Sequence, residues 1–576
     1  MKELKKLFSY MGEYKRDFFL AMALVAIETC FELIIPSLMA DLIDLGVSGG
    51  DVAYMLRKGG QMAFCALLAL ITGLCYARFA ARAAYGWGAN IRKAEYEKVQ
   101  EYAFSNIDRF ESSSLVTRMT SDVTVMQNAI NGGLRPLTRS PIMFFLGIMF
   151  SFTMNPTLAV IFIVMAPLLG IVLFSIVRKV APMYTVLQKT VDGLNSVVEE
   201  NVRAIRTVKA FIREEYEEEK FESVNTALRK TGTATNSTAV MNLPFFQAGM
   251  YICIVLIMLI GGQMILSGSL EIGTLTGFLS YVMQVMNSMM MISNVFLMLT
   301  RSLASAARIS EVLDEVPSLK ESEHPISELK DATIEFKDVS FKYAQSAKEE
   351  TLKDIKLRID EGETVGILGG TGSGKSTLVQ LIERLYDVDN GEVLIGGINV
   401  KDYSLKTLRD AVGIVLQKNL LFSGSIRENL LWGKKDASDE EIWRACDEAG
   451  ASEFLHRFPS GLETDLGQGG VNVSGGQKQR LCIARTLLKK PRILIFDDST
   501  SAVDTATEKE IRRALSELKG VTKIYIAQRI STVMSANRII ILDDGRIVAE
   551  GNHEELLQRS KIYKEIYDSQ LKGGTL

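Results

Sequence analysis

The sequence predicts an α-helical membrane domain with six transmembrane helices, followed by a soluble α/β domain wound around a largely parallel sheet. Two observations predict this division. The first half contains six apolar stretches, most of which approach or exceed the ~20 residues needed to span ~30 Å of hydrocarbon. From Ala332 onward, short β-rich segments alternate with helical patterns, which is typical of α/β proteins.

The six apolar stretches give the predicted spans. They lie near residues 18–38, 62–77, 137–154, 157–177, 238–266 and 273–300. The second and third have the weakest signal, because Arg78, Arg82 and Arg139 lie at their edges. Helices that continue beyond the bilayer as rods explain these charges.

The first residues of the chain predict an amphipathic helix. Leu4, Leu7, Phe8 and Met11 recur at helical spacing among several lysines. This pattern is typical of a helix that lies on the membrane surface.

Positive charge in the connecting segments predicts the orientation. The N-terminal arm and the segments after the second and fourth spans are rich in Lys and Arg. The alternate connections contain few basic residues. The first has only Arg57 and Lys58, and residues 267–271 contain neither Lys nor Arg. We therefore expect a multi-pass protein of the cell's cytoplasmic membrane, with its N-terminus and its soluble domain in the cytoplasm.

Charge and residue usage exclude other classes. The net charge is −3 and no block of basic residues occurs, so a nucleic-acid partner is not expected. The six cysteines form no C-x-x-C pair and the three histidines are far apart, so neither residue type predicts a metal site.

A glycine-rich segment at the start of the soluble half carries the strongest chemical signal. It matches G-x-x-x-x-G-K-[ST] between a predicted strand at 364–368 and a predicted helix at 377–385. Its backbone N–H groups would face phosphates, the lysine would neutralise β/γ charge, and the last serine would hold Mg²⁺. The residues expected to bind the cofactors ATP and Mg²⁺ here are Gly369, Gly370, Thr371, Gly372, Ser373, Gly374, Lys375, Ser376 and Thr377.

This motif sets the domain organisation. We expect a transmembrane domain at residues 1–316, whose helices have long cytoplasmic extensions, and a nucleotide-binding domain at residues 332–576. A polar stretch with Pro317 and Pro325 lies between them and predicts a linker at residues 317–331.

The glycine-rich segment at residues 369–376 has the pattern of a phosphate-binding loop, or P-loop. Two further segments are typical of P-loop enzymes. Residues 493–497 predict a buried strand that ends in Asp497, which would place a carboxylate in the Mg²⁺ shell. Ser474, Gly475, Gly476 and Gln477 open a predicted helix, whose N-terminus would bind an anion. The residues alone leave open whether this is an anion site or an ordinary capped helix.

The order of these motifs resembles that of ATP-binding cassette proteins. The other shared residues are Tyr343, Gln417 after a strand, and the run Ser501-Ala502-Val503-Asp504. The six-span half resembles the transmembrane domain of the exporter branch, so the likeness covers nearly the whole chain.

The resemblance implies roles for single residues. Tyr343 would stack on adenine, and Gln417 would contact Mg²⁺ and the interface with the membrane domain. Ser474 to Gln477 would bind the γ-phosphate of an ATP held by an opposite cassette, so that two cassettes enclose two ATP molecules. Short helices in the cytoplasmic loops would rest in cassette grooves, and residues 112–120 and 205–214 are the matching stretches.

The sequence departs from this family pattern at three positions. Asp498 replaces the usual Glu that orients the attacking water, Gln528 replaces the usual switch histidine, and Gln468 stands where Glu is common. Asp498, Gln528 and Gln417 are the expected catalytic residues, and Ser376, Gln417 and Asp497 the expected Mg²⁺ ligands. The first two departures fall on one ATP site, whereas Ser474 to Gln477, the signature segment of the family, match the family pattern. This combination resembles the degenerate subunit of heterodimeric exporters. A slow homodimer that uses Asp498 as its base is the alternative.

We therefore expect an ATPase coupled to export of hydrophobic or amphipathic substrates, either drugs or lipids. Its partners would be a second half-transporter with intact Glu and His, membrane lipid and a small-molecule substrate. A homodimeric lipid flippase with two slow sites and an ATP-gated regulatory or channel protein are the competing hypotheses.

The membrane half says less about the substrate. Glu28 and Glu32 lie one helical turn apart within the first span, where charge is costly, and are expected to face a cavity or to pair with Arg78 or Arg82. Met283, Met286 and Met290 share one face of the last span, which suits either a promiscuous cavity or helix packing.

Overall fold

The computed structural model describes the backbone of residues 2–343, 349–498 and 505–572 and most of their side chains. The chain divides into two compact units. The first comprises Met1–Gln100 and Ser112–Glu315, and the second comprises Glu101–Glu111 and Val316–Leu576.

The described part of the first 315 residues is helical. In chain order the helices are α1 (Lys2–Ser9), α2 (Lys15–Asp41), α3 (Val52–Gln100), α4 (Phe104–Phe110), α5 (Ser112–Thr117), α6 (Val123–Met154), α7 (Pro156–Ala210), α8 (Glu214–Val240), α9 (Asn242–Leu266) and α10 (Ile272–Asp314). All of these except α4 belong to the first unit. Short π-helical turns at Leu42–Val47 and Arg118–Asp122 extend α2 and precede α6.

Several of these helices are long and apolar enough to cross a membrane. Within the described residues, five continuous helical segments meet this criterion: Gly12–Val47, Val52–Gln100, Ser112–Met154, Pro156–Ala210 and Glu214–Leu266. The sixth predicted span lies within α10. Several of these segments are longer than the ~20 residues that a span requires, which leaves length for the predicted extensions beyond the bilayer.

Small residues let the membrane helices approach closely. A Cβ added at Gly277 of α10 would lie 2.7 Å from the backbone oxygen of Pro36 in α2. A Cβ added at Gly147 of α6 would lie 2.6 Å from the Val285 side chain. Association of helices in lipid depends on such close packing, because no hydrophobic effect drives it.

Helix α1 packs on protein, contrary to the prediction that it lies on the membrane surface. Leu7 and Met11 are fully buried in a cluster that includes Trp87 of α3 and Ile309 of α10. The Trp87 indole N–H donates a 2.8 Å hydrogen bond to the Leu7 carbonyl. The amphipathic pattern was recognised correctly, but sequence alone did not show which apolar surface covers it.

The acidic residues of the first span have other partners than the two that the sequence suggested. Glu28 pairs with Arg135, and Glu32 pairs with Arg139 at 2.5 Å, both from α6. Arg82 instead lies 3.8 Å from Asp17. The prediction considered α3 because it is adjacent in sequence, whereas α2 also packs against α6.

The described part of the second unit contains two sheets. Its strands are β1 (Ile334–Phe341), β2 (Leu352–Ile359), β3 (Thr364–Leu368), β4 (Asn390–Ile395), β5 (Ile398–Asn399), β6 (Val412–Val415), β7 (Ile493–Asp497), β8 (Thr522–Ala527), β9 (Arg538–Asp543) and β10 (Arg546–Gly551). The antiparallel sheet has the order β2-β1-β4-β5, and the larger sheet has the order β10-β9-β3-β8-β7-β6. Among the described strands of the larger sheet, β10 pairs antiparallel with β9 and the other neighbours are parallel.

Helices surround these sheets. They are α11 (Lys375–Ile382), α12 (Leu405–Ala411), α13 (Ile426–Leu431), α14 (Asp439–Glu448), α15 (Ser452–Leu455), α16 (Gly475–Leu488), α17 (Thr505–Glu517), α18 (Ile530–Val533), α19 (His553–Arg559) and α20 (Lys561–Lys572). One core joins the two sheets through α11, and a second core lies between the larger sheet and α13 to α16. The parallel order places the carboxyl ends of β3, β7 and β8 at one edge, where ligands of open α/β sheets bind.

Candidate nucleotide site

The loop between β3 and α11 has a backbone that requires glycine. Gly372 and Gly374 have φ angles of 82° and 96°, in the left-handed region that favours glycine. A Cβ at Gly369 would lie 2.2 Å from the backbone oxygen of Leu542. The loop is followed directly by α11. Backbone N–H groups and the helix dipole at the N-terminus of this helix favour an anion.

Lys375 holds its ammonium group at this loop. Its Nζ donates hydrogen bonds to the carbonyls of Gly369 (2.9 Å) and Gly370 (2.6 Å), and the residue is only 8% exposed. Burial lowers the pKa of Lys375, and the nearby carboxylates of Asp497 and Asp498 oppose this shift. A positive charge is thus fixed beside the backbone that would receive phosphate.

Ser376 and Asp497 meet at the end of β7. The Ser376 hydroxyl donates a 2.9 Å hydrogen bond to Asp497 Oδ1. Burial raises the pKa of Asp497, the neighbouring Asp498 adds to this, and the Ser376 hydrogen bond opposes it. Two hard oxygen ligands side by side fit Mg²⁺, which takes few protein ligands and completes its shell with phosphate and water. When bound, the ion would neutralise charge on the β- and γ-phosphates.

Tyr343 is oriented by hydrogen bonds and ring contacts. Its hydroxyl lies 2.9 Å from the Thr377 hydroxyl and donates to Gln380 Oε1 at 3.2 Å. Its ring packs edge-on against Phe341 and Tyr386, at centroid distances of 5.1 and 5.2 Å. The residue remains 47% exposed, so the fixed ring retains surface for a nucleotide base.

The signature segment opens α16 with a capping box. The Ser474 side chain accepts from Gln477 N at 3.3 Å, and Gln477 Oε1 accepts from Ser474 N at 2.8 Å. Among the residues that the structure describes, none would lie within 4 Å of a Cβ added at Gly475. An anion can therefore approach this N-terminus closely.

Asp498 and Gln528 lie together beyond the ends of β7 and β8. Asp498 adopts a φ angle of 45°, unusual for a non-glycine residue, and its N–H donates to the Ile526 carbonyl at 3.0 Å. The Gln528 side chain donates to Asp498 Oδ2 at 3.3 Å. Burial raises the pKa of Asp498, against the attraction of Lys375 and Arg529.

Comparison with known proteins decides the family. The family model described as "ABC transporter transmembrane region" matches residues 18–289, and the family model described as "ABC transporter" matches residues 352–501. The uncharacterized ABC transporter ATP-binding protein YfiB of Bacillus subtilis is 38% identical over 567 residues, which is 98% of each chain. The chain belongs to the ABC transporter family.

Other relatives agree with this assignment. The uncharacterized ABC transporter ATP-binding protein Rv1273c of Mycobacterium tuberculosis is 34% identical over 98% of both chains. A solved structure of a bacterial Atm1-family ABC exporter with ATP bound has the same fold, with a TM-score of 0.80 and 23% identity over 97% of this chain and 98% of the other. This ABC transporter is therefore a multi-pass membrane protein with an ATPase domain coupled to transport, and it works with a second ABC half-transporter.

The ABC transporter's second unit also contains a short helix from the first third of the chain. In α4, Asp108 Oδ2 accepts a 2.7 Å hydrogen bond from the Tyr386 hydroxyl, and Phe104 contacts the Tyr386 ring at 6.2 Å. Asn106 caps this helix and donates to the Val316 carbonyl at 3.0 Å. Residues 101–111, which the sequence analysis did not single out, thus belong to the second unit. Residues 112–120 belong to the first unit, and their contact with the cassette stays a prediction.

Sequence reasoning missed two residues near the site of this ABC transporter. Tyr386 joins Tyr343 to α4, and it was missed because an aromatic residue after a helix carries no local signal. Gln570 of α20 donates to the Gln528 carbonyl at 2.8 Å and accepts from Ile530 N at 2.9 Å. A glutamine near the C-terminus gives no sequence signal of such a bridge.

The remaining sequence-predicted residues are less tightly placed. Gln417 lies two residues beyond β6 and is exposed, and within the described ranges no hydrogen bond joins it to Ser376 or Asp497. Residues 205–214 include the end of α7, the start of α8 and the exposed Phe211 and Ile212 between them. The run Ser501-Ala502-Val503-Asp504 lies outside the described residues.

Proposed function

We propose that this ABC transporter is one subunit of a heterodimeric exporter, in which the ATP site on its own P-loop hydrolyses ATP slowly. The pairing of Asp498 with the neutral amide of Gln528 is the observation that carries this proposal. We call the residues Lys375, Ser376, Asp497, Asp498 and Gln528 the P-loop face. Ser474 to Gln477 form the signature face, which would complete the ATP site of the partner.

The P-loop face has the groups needed to bind nucleotide, but the two groups expected to act on the attacking water and the γ-phosphate are altered. Asp498 has one methylene fewer than Glu, which withdraws its carboxylate by roughly 1 Å, and displacements of that size cost about 10²-fold when near-attack geometry matters. Gln528 can donate a hydrogen bond to the γ-phosphate, but it cannot become a cation. Both differences weaken hydrolysis and leave the phosphate-binding loop, Lys375 and the Mg²⁺ ligands intact.

The signature face retains every feature needed for an anion. The capping box fixes the first turn of α16, and the N–H groups of Gly475 and Gly476 follow it without side chains to obstruct them. In the partner's site these groups would meet the γ-phosphate of an ATP that a complete set of catalytic residues can hydrolyse.

We propose that the transporter exports its substrates outward across the cytoplasmic membrane. The proposed substrates are drugs or lipids of hydrophobic or amphipathic character. The excess of Lys and Arg in alternate connections supports an N-terminus and ATPase domain in the cytoplasm. Cysteines introduced near Ser48 and Gly268 are expected to react with an impermeant reagent on intact cells, whereas cysteines near Ser113 and Glu215 are not. Labelling of Ser113 from outside contradicts this topology.

The test of the heterodimer is purification through a tag on this chain. A different half-transporter, with Glu and His at the positions of Asp498 and Gln528, should co-purify at equal stoichiometry. The pair should hydrolyse ATP and move substrate into inside-out vesicles, while this chain alone should be slow. Recovery of this chain alone as an active dimer supports the slow homodimer instead, and passive flux gated by ATP supports a channel.

A further inference from the structure

Four charged side chains meet among the membrane helices, apart from the nucleotide site. Glu28 and Glu32 lie one turn apart on α2, and Arg135 and Arg139 lie one turn apart on α6. They form the pairs Glu28–Arg135 and Glu32–Arg139. Glu28 lies ten residues into the apolar segment 18–38, which is about 15 Å along the helix. Ionisable groups at such depth are costly and mark functional sites by default.

The two members of the first pair differ in exposure. The Glu28 side chain is only 4% exposed, whereas the Arg135 side chain is 41% exposed. In this pair the positively charged side chain is therefore partly exposed, whereas the negatively charged side chain is buried. In the second pair, Glu32 and Arg139 are exposed to equal extents, 26% and 25%.

Arg135 is held in place from several sides. Besides Glu28, its guanidinium lies over the Tyr76 ring at 5.8 Å from the centroid. A Cβ added at Gly73 of α3 would lie 3.2 Å from Glu28 Oε1, so the absence of a side chain there makes room for the carboxylate. Within the described structure, Glu28 Oε2 and Arg135 Nε are buried without a hydrogen-bond partner.

This arrangement exceeds what a structural ion pair requires. Apolar residues of similar volume can join two helices as well as a buried ion pair does, so joining α2 to α6 does not by itself explain these charges. Because the Arg135 side chain is 41% exposed, its guanidinium has donors that can reach an anion in addition to Glu28. Arg139 lies four residues from Arg135 on the same face of α6, where Cβ atoms are roughly 6 Å apart, so the helix carries two guanidinium groups on one side.

We propose that Arg135 and Arg139 form a recognition site for the anionic head group, phosphate or carboxylate, of an amphiphilic substrate, with Glu28 and Glu32 as positioning residues. This inference rests on the proposed export of amphipathic substrates. It narrows them to acids, because the exposed charge of the Glu28–Arg135 pair is positive.

The test is equilibrium binding of ³²P-labelled dodecyl phosphate to the purified assembly in phosphatidylcholine nanodiscs without ATP. Dodecyltrimethylammonium should not compete. Inorganic [³²P]phosphate should bind at least tenfold more weakly, and equal binding of the two phosphates contradicts an amphiphile site. Because this assay needs no ATP, failure of binding overturns the present inference alone, whereas failure of ATP-driven transport overturns the proposed function.

Charge reversal separates recognition from structure. The double variant Glu28→Arg with Arg135→Glu keeps an ion pair but exposes a carboxylate, so dodecyl phosphate binding should fall at least tenfold. Arg135→Gln should cause a similar loss and Arg135→Lys a smaller one, because Lys keeps the charge but lacks the fork. The matched control Arg82→Gln, which removes another exposed membrane arginine, should bind as the unaltered assembly does.

Two results would overturn the inference. One is undiminished binding in Arg135→Gln. The other is loss of the partner chain from the Arg135→Lys and Arg135→Gln variants, measured by stoichiometry after purification, because the arginine would then serve the contact between subunits.

Discussion

The P-loop face and the signature face of the same ATPase unit differ in how completely they are equipped. The P-loop face has the phosphate loop, Lys375 and the Ser376–Asp497 pair. At the position proposed to orient water it has Asp498, hydrogen-bonded to a neutral glutamine. The signature face has its full motif and a complete capping box. Since the two faces would belong to different ATP sites in the proposed pair of cassettes, binding and hydrolysis could be separated between sites.

This difference implies a division of labour. The ATP on the P-loop face would act as a clamp that stabilises the closed pair, because its affinity differs between open and closed states. The ATP on the signature face would supply most of the turnover. The following predictions test the two faces separately.

The largest expected effect comes from the signature face. Ser474→Arg should reduce ATPase turnover of the assembly by at least about 100-fold, since it places a bulky cation at the helix N-terminus where the γ-phosphate must approach. Steady-state phosphate release measures this. The control is Ser438→Arg, which disrupts an equivalent capping box on α14. An equal loss in both variants would show that the effect is structural.

The next effect concerns binding at the P-loop face. Lys375→Ala should weaken ATP binding at this chain's site by about 10- to 100-fold, because it removes a buried charge worth about 1.5 to 3 kcal/mol as a charged hydrogen bond. Photo-crosslinking of labelled 8-azido-ATP, resolved by chain, measures each site. The partner chain should remain labelled. Loss of label from both chains at low nucleotide concentration contradicts independent binding.

A smaller effect is expected at the base. Tyr343→Ala should weaken ATP binding by about 1 to 3 kcal/mol of lost stacking. Tyr343→Phe keeps the ring and loses only the contacts of the hydroxyl with Thr377 and Gln380, so it should bind nearly normally. Titration of a fluorescent ATP analogue distinguishes the variants. Equal affinity of the alanine and phenylalanine variants would remove the ring from the site.

The smallest effect is a pH dependence of stability behind the P-loop face. Burial raises the pKa of Glu383, at the end of α11, to about 7, while Lys489 and Arg409 oppose the shift. The folded state therefore holds a proton that the unfolded chain releases near the ordinary glutamate pKa of 4.5, so the free energy of unfolding falls as pH rises from about 4.5 to about 7.

The variant Glu383→Gln should remove that pH dependence. The assembly should gain a few degrees in unfolding temperature at pH 8 and nothing at pH 5, as measured by thermal unfolding. Glu392→Gln, at an exposed strand position, is the control. A gain that is the same at both pH values contradicts the titration of Glu383.

Much of the site could be predicted from the sequence because its parts are local. Lys375 and Ser376 follow directly from the loop motif. Asp497 ends a buried strand, and the parallel order brings that strand end to the loop, so the Ser376–Asp497 contact follows from the topology. The predicted strands at 364–368 and 493–497 coincide with β3 and β7.

Other features depend on packing between distant segments and gave no local signal. Glu28 and Arg135 are separated by 107 positions, and hydrophobic spacing within each helix does not show which helix faces meet. The contact of α4 with Tyr386 spans 278 positions. The buried face of α1 was visible as a pattern, but hydrophobic spacing does not distinguish lipid from protein as its cover.

Asp498→Asn in the purified assembly tests the central claim most directly. If Asp498 is too short to orient water, ATPase turnover should fall by less than about twofold, because hydrolysis occurs mainly at the site that the signature face completes. The same substitution in this chain purified alone should change little, since the starting rate is already slow. Brisk hydrolysis by this chain alone that is abolished by Asp498→Asn would contradict the account and favour a homodimer with two equal sites.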